Sequence, residues 1–352
     1  MQTDYTAKLT KIEGIIESFL PRVYDSPWKN LIFSNLSAAV KDSHIHQLTD
    51  PCRSLVSSGG KRWRPLLLVL CTALVSDNEK DIERSYMLTP LVEFVHTASL
   101  IHDDIEDSSD MRRGKPAAHI AYGLDTALNA GSWLYFASSA CLDAAFEHDS
   151  DPRSEAMHLV LYKILHSELR TLHLGQAMDI LWHTSSTIIP QPDEYTAMVT
   201  MKTGTLARLS AMAGIICGGG SMEEARIMGS IASDIGAGFQ ILDDYINLTS
   251  GNKGKKRGDD IIEGKKSLPI LLHLEKKPED FSIIMDCFKR AGKEGSSSGA
   301  IEECIAVIEK SDALEEAQQL GKKLITGSCI KILEKYNKSE AALDIYRLFE
   351  NM

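Results

Sequence analysis

Long apolar runs are missing from this chain of 352 residues. The longest, from Leu66 to Val75, is too short to cross a bilayer, which takes about 20 residues of helix. The chain does not open with a cationic segment followed by an apolar one, so the sequence predicts no signal peptide. We therefore expect a protein without a transmembrane segment, located in the cytoplasm.

The cysteines and the net charge exclude two further classes of protein. Seven scattered cysteines do not make the even set that a disulfide framework needs, and free thiols in a reducing compartment are expected. The formal net charge is −11, so the chain has no overall basic surface and we expect no nucleic-acid partner. The positive charge stands instead in short clusters, which are the size that phosphate groups require.

One stretch, residues 89–114, carries the first chemistry that the sequence offers. Asp103 and Asp107 end an apolar helical run, and a spacing of four places them on one helix face. A solvated acidic helix end is the simpler interpretation of such a pair. However, Arg112 and Arg113 follow at once, and carboxylates beside guanidinium groups predict a site where Mg²⁺ bridges to a phosphate.

A second acidic helix end lies far along the chain, at Asp243 and Asp244. Basic clusters follow it at 253–257 and 264–266, as Arg112-Arg113 follows the first. One acidic-then-basic unit is weak evidence, whereas two of them are strong evidence. Together they predict two helices that face each other across a cavity, with a metal-bound diphosphate between them.

A loop of small and basic residues, from Ser57 to Pro65, precedes both acidic units. Its glycines allow the backbone to approach an anion closely, and Lys61, Arg62 and Arg64 supply positive charge. Taken alone, the loop is equally well interpreted as a solvated basic turn. Beside two metal–diphosphate motifs, it predicts a second diphosphate site.

With these three motifs the sequence resembles the trans-isoprenyl diphosphate synthases. Residues 103–107 (Asp-Asp-Ile-Glu-Asp) with Arg112-Arg113-Gly114 are similar to the first aspartate-rich motif of that family, and Asp243-Asp244 to the second. Residues 59–65 match its Gly-Gly-Lys-Arg-x-Arg-Pro signature. The likeness runs from about residue 55 to about residue 272. It is greatest to geranylgeranyl diphosphate synthases of the eukaryotic kind. The residues similar to that branch are Ala-Ser at 98–99, Gly-Gln-Ala-Met-Asp-Ile-Leu-Trp at 175–182, Lys-Thr-Gly at 202–204 and Asp-Asp-Tyr-Ile-Asn-Leu at 243–248.

The resemblance implies an all-α fold, an isoprenoid synthase-type helical bundle around a central tunnel. Residues 1–352 would form a single domain, with the motifs at about 55–272 and a C-terminal helical part at about 275–352. The residue patterns agree, because no strand alternation stands out. Thr89 and Ser26 are expected to cap helices, and Ser221 to begin a capping box with Glu224. Helices are predicted at 5–20, from Ser26 to about Val40, at 127–147, at 154–182 and from Glu194 to about Cys217.

The resemblance also implies a head-to-tail prenyl transfer and a role for each site residue. Three Mg²⁺ ions would bind at Asp103, Asp104, Asp107, Asp243 and Asp244. Isopentenyl diphosphate would bind at Lys61, Arg64, His96 and Arg113, and the allylic diphosphate at Arg112, Lys202, Lys256 and Lys265. Lys202, Thr203 and Gln240 would be the catalytic residues, with Thr203 and Gln240 near the developing allylic cation. A homodimer is implied as well.

Product length is expected to depend on the depth of the tunnel below Asp103. Ser99 lies one turn below it, Ala98 flanks Ser99, and Trp133 is a candidate for the tunnel floor. Two small residues leave room for a tail of 20 carbons or more, which favours geranylgeranyl diphosphate. A longer-chain polyprenyl synthase and a farnesyl diphosphate synthase stay open as alternatives. A terpene cyclase and a non-catalytic regulatory subunit are weaker ones, since the former needs no second basic site and the latter would have lost its aspartates.

Overall fold

The computed structural model describes residues 2–147, 149, 151–185, 187–251 and 257–350, and almost every element within them is a helix. The all-α prediction is therefore confirmed. A π-helical turn, Thr200–Gly204 (the π turn), connects α11 to α12, and 3₁₀ turns cover Pro278–Asp280 and Gly295–Ser297. The α-helices are α1 (Gln2–Phe19), α2 (Ser26–Phe33), α3 (Asp42–Val56), α4 (Trp63–Ala73), α5 (Glu79–Met87), α6 (Thr89–Glu106), α7 (Ala118–Tyr122), α8 (Leu124–Ala137), α9 (Ala140–Phe146), α10 (Ser154–His183), α11 (Pro192–Val199), α12 (Thr205–Cys217), α13 (Met222–Leu248), α14 (Asp259–Glu263), α15 (Leu268–Lys276), α16 (Phe281–Glu294), α17 (Gly299–Ile308), α18 (Ala313–Lys335) and α19 (Glu340–Glu350).

These residues group into two compact units. In unit 1, α6 packs against α8, α4 and α1, while α3 packs against α8. In unit 2, α16 packs against α17 and α14, and α15 packs against α18 and α11. The prediction of a single domain stays a prediction. Unit 1 comprises Met1–Ser167, Arg208–Gly229 and Tyr336–Ile345, and unit 2 comprises Glu168–Ala207, Ser230–Lys335 and Tyr346–Met352.

Helix α4 shows how the longest apolar run is used. Its residues 66–70 are at most 3% exposed, as expected of a helix that is apolar all round and lies in a core. Helix α12 approaches it closely at Gly214, where an added Cβ would lie 2.3 Å from the carbonyl oxygen of Leu68. Thr72 donates a hydrogen bond of 3.0 Å to the carbonyl of Gly214. The run is therefore a buried helix of unit 1.

Two of the predicted helix starts differ in detail from the structure. Asp25, rather than Ser26, caps α2 by accepting from the N–H of Trp28 at 2.8 Å. That helix ends at Phe33, so the predicted extension to Val40 is wrong; Ser34 has a φ of +58°, which ends the helical hydrogen bonding. The cap at Thr89 is wrong too. Because α5 ends directly before α6, the residue ahead of Thr89 is already in the right-handed helical region, and the Thr89 hydroxyl donates backward to the carbonyl of Tyr86 at 2.7 Å.

Other predicted helices are confirmed, with interruptions. Helices α1 and α10 lie where the patterns placed them, and α13 begins after Ser221, whose Oγ accepts from the N–H of Glu224 at 3.1 Å. The predicted helix at 127–147 is divided between α8 and α9. The predicted helix from Glu194 to Cys217 runs through the π turn, which no residue pattern indicated.

A small hairpin is the one secondary-structure element other than a helix among the described residues. Strand β1 (Met111–Arg112) pairs antiparallel with β2 (Lys115–Pro116). The two residues between them, Arg113 and Gly114, have φ values of +52° and +77°. Positive φ at both positions suits a two-residue hairpin turn, because its twist matches that of the strands.

No described helix is both long enough and apolar enough to cross a membrane.

Candidate active site

The acidic end of α6 is held by an arginine of the hairpin. Arg112 donates from Nε to Asp104 at 2.7 Å and from Nη2 to Asp103 at 3.4 Å. Asp104 is buried, whereas Asp103 and Asp107 are only half-buried. The structure therefore brings Arg112 to the first acidic cluster, and it leaves Asp103 and Asp107 as the more accessible pair on one face of the helix.

The second arginine of the hairpin points to a different partner. Arg113 donates to the carbonyl of Leu55 at 3.3 Å and to that of Gly59. Gly60 lies close by, and a Cβ added there would be 3.3 Å from Nη2 of Arg113. The positive φ of Gly59 and Gly60, +86° and +151°, is available to glycine without strain. The backbone of the loop before α4 thus packs against the guanidinium of Arg113.

Arg64, His96 and Arg113 form a cluster in unit 1 that we call the basic pocket, and the charge of Glu93 acts on both of its arginines. Burial, followed by the charges of Arg64 and Arg113, holds the pKa of His96 well below its ordinary value. His96 is therefore neutral at pH 7 and can donate one ring N–H beside the arginines without adding a third charge. Burial lowers the pKa of Arg64 to about 10, so its guanidinium stays charged at pH 7. Lys61, which the sequence placed at the same site, is exposed in the loop before α4.

Arg62 has a structural role that the sequence did not reveal. Its side chain is 4% exposed and donates to Glu93 at 2.6 Å, to Glu13 at 2.7 Å and to the carbonyl of Val56 at 2.6 Å. Its charge is therefore neutralised inside unit 1, and the expectation that it supplies charge to an anion is wrong. Glu93 was not predicted, although an acid three residues before His96 in an apolar run was a readable signal.

In unit 2, a chain of hydrogen-bonded side chains ends at Asp244, one member of the second acidic pair. Thr203 donates to Oε1 of Gln240 at 3.0 Å, and Nε2 of Gln240 donates to Oδ1 of Asp244 at 2.9 Å. Tyr195 donates from its phenol to Oδ2 of Asp244. Burial and the neighbouring Asp243 raise the pKa of Asp244 to about 6. Asp243 is half-buried, so it is the more accessible carboxylate of the pair.

Tyr195 is the main functional candidate that sequence reasoning missed. It is 1% exposed, and burial followed by the charge of Asp244 raises its pKa well above the ordinary value. It therefore stays a phenol that donates to the carboxylate. A tyrosine seven residues before Lys202 was the only signal in the sequence, and it has no chemistry until the fold brings α11 to α13.

The predicted lysines have different surroundings. Lys202, in the π turn, donates to Oδ2 of the buried Asp179 at 2.5 Å, which satisfies the expected need for an anion. Lys265 pairs with Glu263 at 2.6 Å, and its charge partly offsets the rise in the pKa of Asp244. Lys256 lies outside the described residues.

Asn247 lies near the end of α13, after the second acidic pair, and its contacts are structural. Its Oδ1 accepts from the N–H of Asp260 at 3.3 Å, and its carbonyl accepts from the N–H of Gly258 at 2.8 Å. Both contacts connect the end of α13 to the start of α14. An amide is therefore suited to this position, because it connects two elements of unit 2 without adding a third acid to the helix end.

The residues predicted to set product length lie in unit 1. Ala98 is fully buried, and Ser99 is half-buried with its hydroxyl donating to the carbonyl of His96 at 2.8 Å. Trp133 stacks on Phe33 of α2 with ring centroids 6.2 Å apart. Helix α2, to which the sequence assigned no chemistry, therefore contacts one of these residues.

The donor chemistry of the acidic groups fits Mg²⁺. No group of three or more His, Cys, Asp or Glu side chains within the described parts of the chain is close enough to form a metal cage. Mg²⁺ does not require one, because it keeps several waters and binds through one or two carboxylates plus substrate phosphates. Asp103, Asp107 and Asp243 offer oxygen ligands of that kind.

Comparison with known proteins places these residues in a family. The model of the polyprenyl synthetase family matches residues 45–308. A geranylgeranyl diphosphate synthase of Sulfolobus acidocaldarius is 30% identical over 322 residues, which cover 90% of this chain and 94% of the relative. A geranylgeranyl pyrophosphate synthase of Eremothecium gossypii is 34% identical over 231 residues, 65% of this chain and 69% of the relative.

A solved structure agrees over the whole length. The crystal structure of geranylgeranyl pyrophosphate synthetase from Pyrococcus horikoshii superposes with a TM-score of 0.80 at 26% sequence identity, and the match covers 99% of this chain and 96% of that one. The family model, the relatives and this fold agree with one another. The chain belongs to the polyprenyl synthetase family.

Proposed function

We propose that the protein condenses isopentenyl diphosphate with an allylic diphosphate to make geranylgeranyl diphosphate. The observation that carries the proposal is the basic pocket, which is distinct from the Arg112 that holds the acidic end of α6. An enzyme that only ionised one diphosphate would need the acidic end alone, so a second cluster of basic side chains supports elongation rather than cyclisation. The names of the relatives support the geranylgeranyl product.

Asp103, Asp107 and Asp243 would hold Mg²⁺ together with the allylic diphosphate. When bound, the ions would act as Lewis acids on the leaving diphosphate. Asp104 would act next to them, because its Oδ1 already accepts from Arg112. Asp244 would do the same, since its two oxygens accept from Gln240 and Tyr195.

The residues of the chain itself have three tasks in this reaction. Arg112, Lys202, Lys256 and Lys265 would neutralise the allylic diphosphate as its C–O bond breaks and it leaves with the bonding electrons. The hydroxyl of Thr203 and the amide of Gln240 would orient their oxygen dipoles toward the allylic cation. The basic pocket with Lys61 would hold isopentenyl diphosphate, whose double bond attacks that cation to form the new C–C bond. The proton then lost would go to the released diphosphate, for which no side chain base is required.

The product length follows from the small side chains on α6. Ala98 and Ser99 are much smaller than an aromatic ring, which supports a tunnel with room for a tail of 20 carbons. Trp133, backed by Phe33, is a candidate for the floor of the tunnel.

We also propose that the protein is a cytoplasmic homodimer. Helix α8 exposes Leu124, Leu128 and Phe136, which are 52%, 49% and 73% accessible. Spacings of four and eight place them on one helix face, and such exposed apolar stripes mark association surfaces. Phe136→Glu should shift the mass measured by light scattering toward the monomer. All seven cysteines are free, which supports a reducing compartment.

The proposal is tested by sizing the product. The purified protein is incubated with isopentenyl diphosphate, Mg²⁺ and dimethylallyl, geranyl or farnesyl diphosphate, and the prenyl alcohols are separated after phosphatase treatment. A product that ends at 20 carbons supports the proposal. A longer ladder would keep the reaction and reject the geranylgeranyl product, and no elongation with any primer would reject the proposal as a whole.

A further inference from the structure

The π turn of unit 2 is in direct backbone contact with α10. A Cβ added to Gly175 of α10 would lie 2.5 Å from the backbone nitrogen of Lys202 and 2.8 Å from the carbonyl carbon of Met201. Real Cβ atoms do not approach backbone atoms so closely, and a backbone cannot rotate away as a flexible side chain can. Helix α10 therefore reaches the π turn only because residue 175 has no side chain.

Helix α13 makes the matching contact on the next residues of the π turn. A Cβ added to Gly236 would lie 2.8 Å from Cα of Gly204 and 3.2 Å from the carbonyl oxygen of Thr203. A Cβ on Gly204 would in turn lie 2.8 Å from the carbonyl oxygen of Ser233. The π turn is thus fixed against two helices by backbone packing.

Each glycine has a polar residue one turn after it on the same helix. Asp179, four residues after Gly175, accepts from Nζ of Lys202 at 2.5 Å. Gln240, four residues after Gly236, accepts from Oγ1 of Thr203 at 3.0 Å. Residues four apart lie on one helix face. The backbone contact at each glycine therefore sets the distance from Asp179 to Lys202 and from Gln240 to Thr203.

We propose that Gly175 and Gly236 are positioning residues for prenyl transfer, which act through Lys202 and Thr203. This inference rests on the roles proposed above for those two side chains. A methyl group at residue 175 would push the π turn away from α10 and lengthen the contact between Lys202 and Asp179. A methyl group at residue 236 would do the same for Thr203 and Gln240.

The first experiment compares Gly175→Ala and Gly236→Ala with a matched control. Gly327→Ala makes the same change in α18, also in unit 2, where an added Cβ meets nothing within 4 Å. Because a displacement of about 1 Å can cost about 100-fold in rate, kcat should fall about 10- to 100-fold in the two test variants. The KM for isopentenyl diphosphate should stay near that of the natural protein, since its proposed residues lie in unit 1. The control should keep its kcat, and circular dichroism should show a folded helical protein for all three.

The second experiment separates positioning from packing with a double-mutant cycle. Gly175→Ala is combined with Lys202→Met, and Gly236→Ala with Thr203→Val. If Gly175 acts through Lys202, and Gly236 through Thr203, the glycine substitution should lower kcat less than threefold once the Lys202 or Thr203 side chain has been replaced. Asp179→Glu, which lengthens the acceptor without touching the glycine contact, should reproduce part of the loss and keeps the test valid if Gly175→Ala does not fold.

The outcomes distinguish this inference from the function on which it rests. Multiplicative losses of kcat in the double variants would overturn the inference alone and leave the glycines as packing residues. An unchanged kcat in Lys202→Met and Thr203→Val would overturn the proposed roles of those side chains and the inference with them. Loss of kcat in the single variants with little further loss in the doubles would support both.

Discussion

Tyr195 and Asp244 share a buried hydrogen bond between α11 and α13, in which the phenol donates to Oδ2 of the carboxylate. Tyr195→Phe removes this donor and keeps the ring. We expect a loss of about 1–3 kcal/mol in the free energy of unfolding, because a buried carboxylate oxygen is left without its partner. Urea unfolding measures this loss. Tyr162→Phe is the control, since Tyr162 donates to Asp143 at an exposed site, and an equal loss in both variants would contradict the prediction.

His96 should make the protein less stable in acid. Its pKa in the folded state is well below the ordinary value, so the unfolded chain takes up the proton first as the pH falls through about 6.5. The folded state then binds fewer protons than the unfolded one, and its stability decreases with falling pH; above about 6.5 the ionisation of His96 adds no pH dependence. His96→Gln should therefore gain stability relative to the natural protein between pH 6.5 and 5. Urea unfolding across this range measures it, with His173→Gln on the surface of α10 for comparison, and parallel curves for His96→Gln and the natural protein would contradict it.

The buried ion pair of Arg62 and Glu93 should be costly to break. Glu93→Gln removes the charge that faces Arg62 in the interior, and removal of one partner of a buried pair costs about 3–5 kcal/mol. Since Glu13 still contacts the guanidinium, we expect a loss near the lower end of that range. Thermal unfolding measures it. Glu83→Gln, which breaks an exposed pair with Lys11, should change stability by less than about 0.5 kcal/mol, and similar losses in both variants would reject this ranking.

Ala98→Phe should shorten the product. The added ring would occupy the proposed tunnel beside α6 below Asp103, so elongation should end at 15 carbons instead of 20. Chromatography of the dephosphorylated products measures the length, and Ala98→Ser is the small control. Insertion of a ring into a packed core would cost about 1–3 kcal/mol. A strongly destabilised variant whose products keep their length would show that Ala98 faces the core and would exclude it as a determinant of product length.

Sequence patterns predicted some of the helix limits that local chemistry decides, although they missed Asp25 as the cap of α2. Ser221 caps α13 as predicted, because a cap acts over one helical turn. The π turn was not predicted, since its contacts with Gly175 and Gly236 come from residues far along the chain. The hairpin was missed for the opposite reason: two residues per strand are too few to show an alternating pattern.

The candidate site was predicted where side chains of opposite charge follow one another. Asp103 and Arg112 are nine residues apart, and the sequence predicted their association with a shared ligand. Glu93 and Tyr195 were not recognised, because their partners Arg62 and Asp244 are reached only through the packing of different helices. Burial decides what such residues do, and a sequence without its fold does not show which side chains are buried.

The seven cysteines have a practical consequence. All of them are buried, and burial raises the pKa of the thiol at Cys52, Cys71, Cys141, Cys217 and Cys304, among others. A thiol that is shielded and protonated reacts slowly with alkylating reagents. A single cysteine introduced at an exposed position, such as Lys331→Cys on α18, should therefore take a maleimide dye selectively without removal of any natural cysteine. The natural chain is thus a ready background for fluorescence measurements of how the enzyme moves during chain elongation.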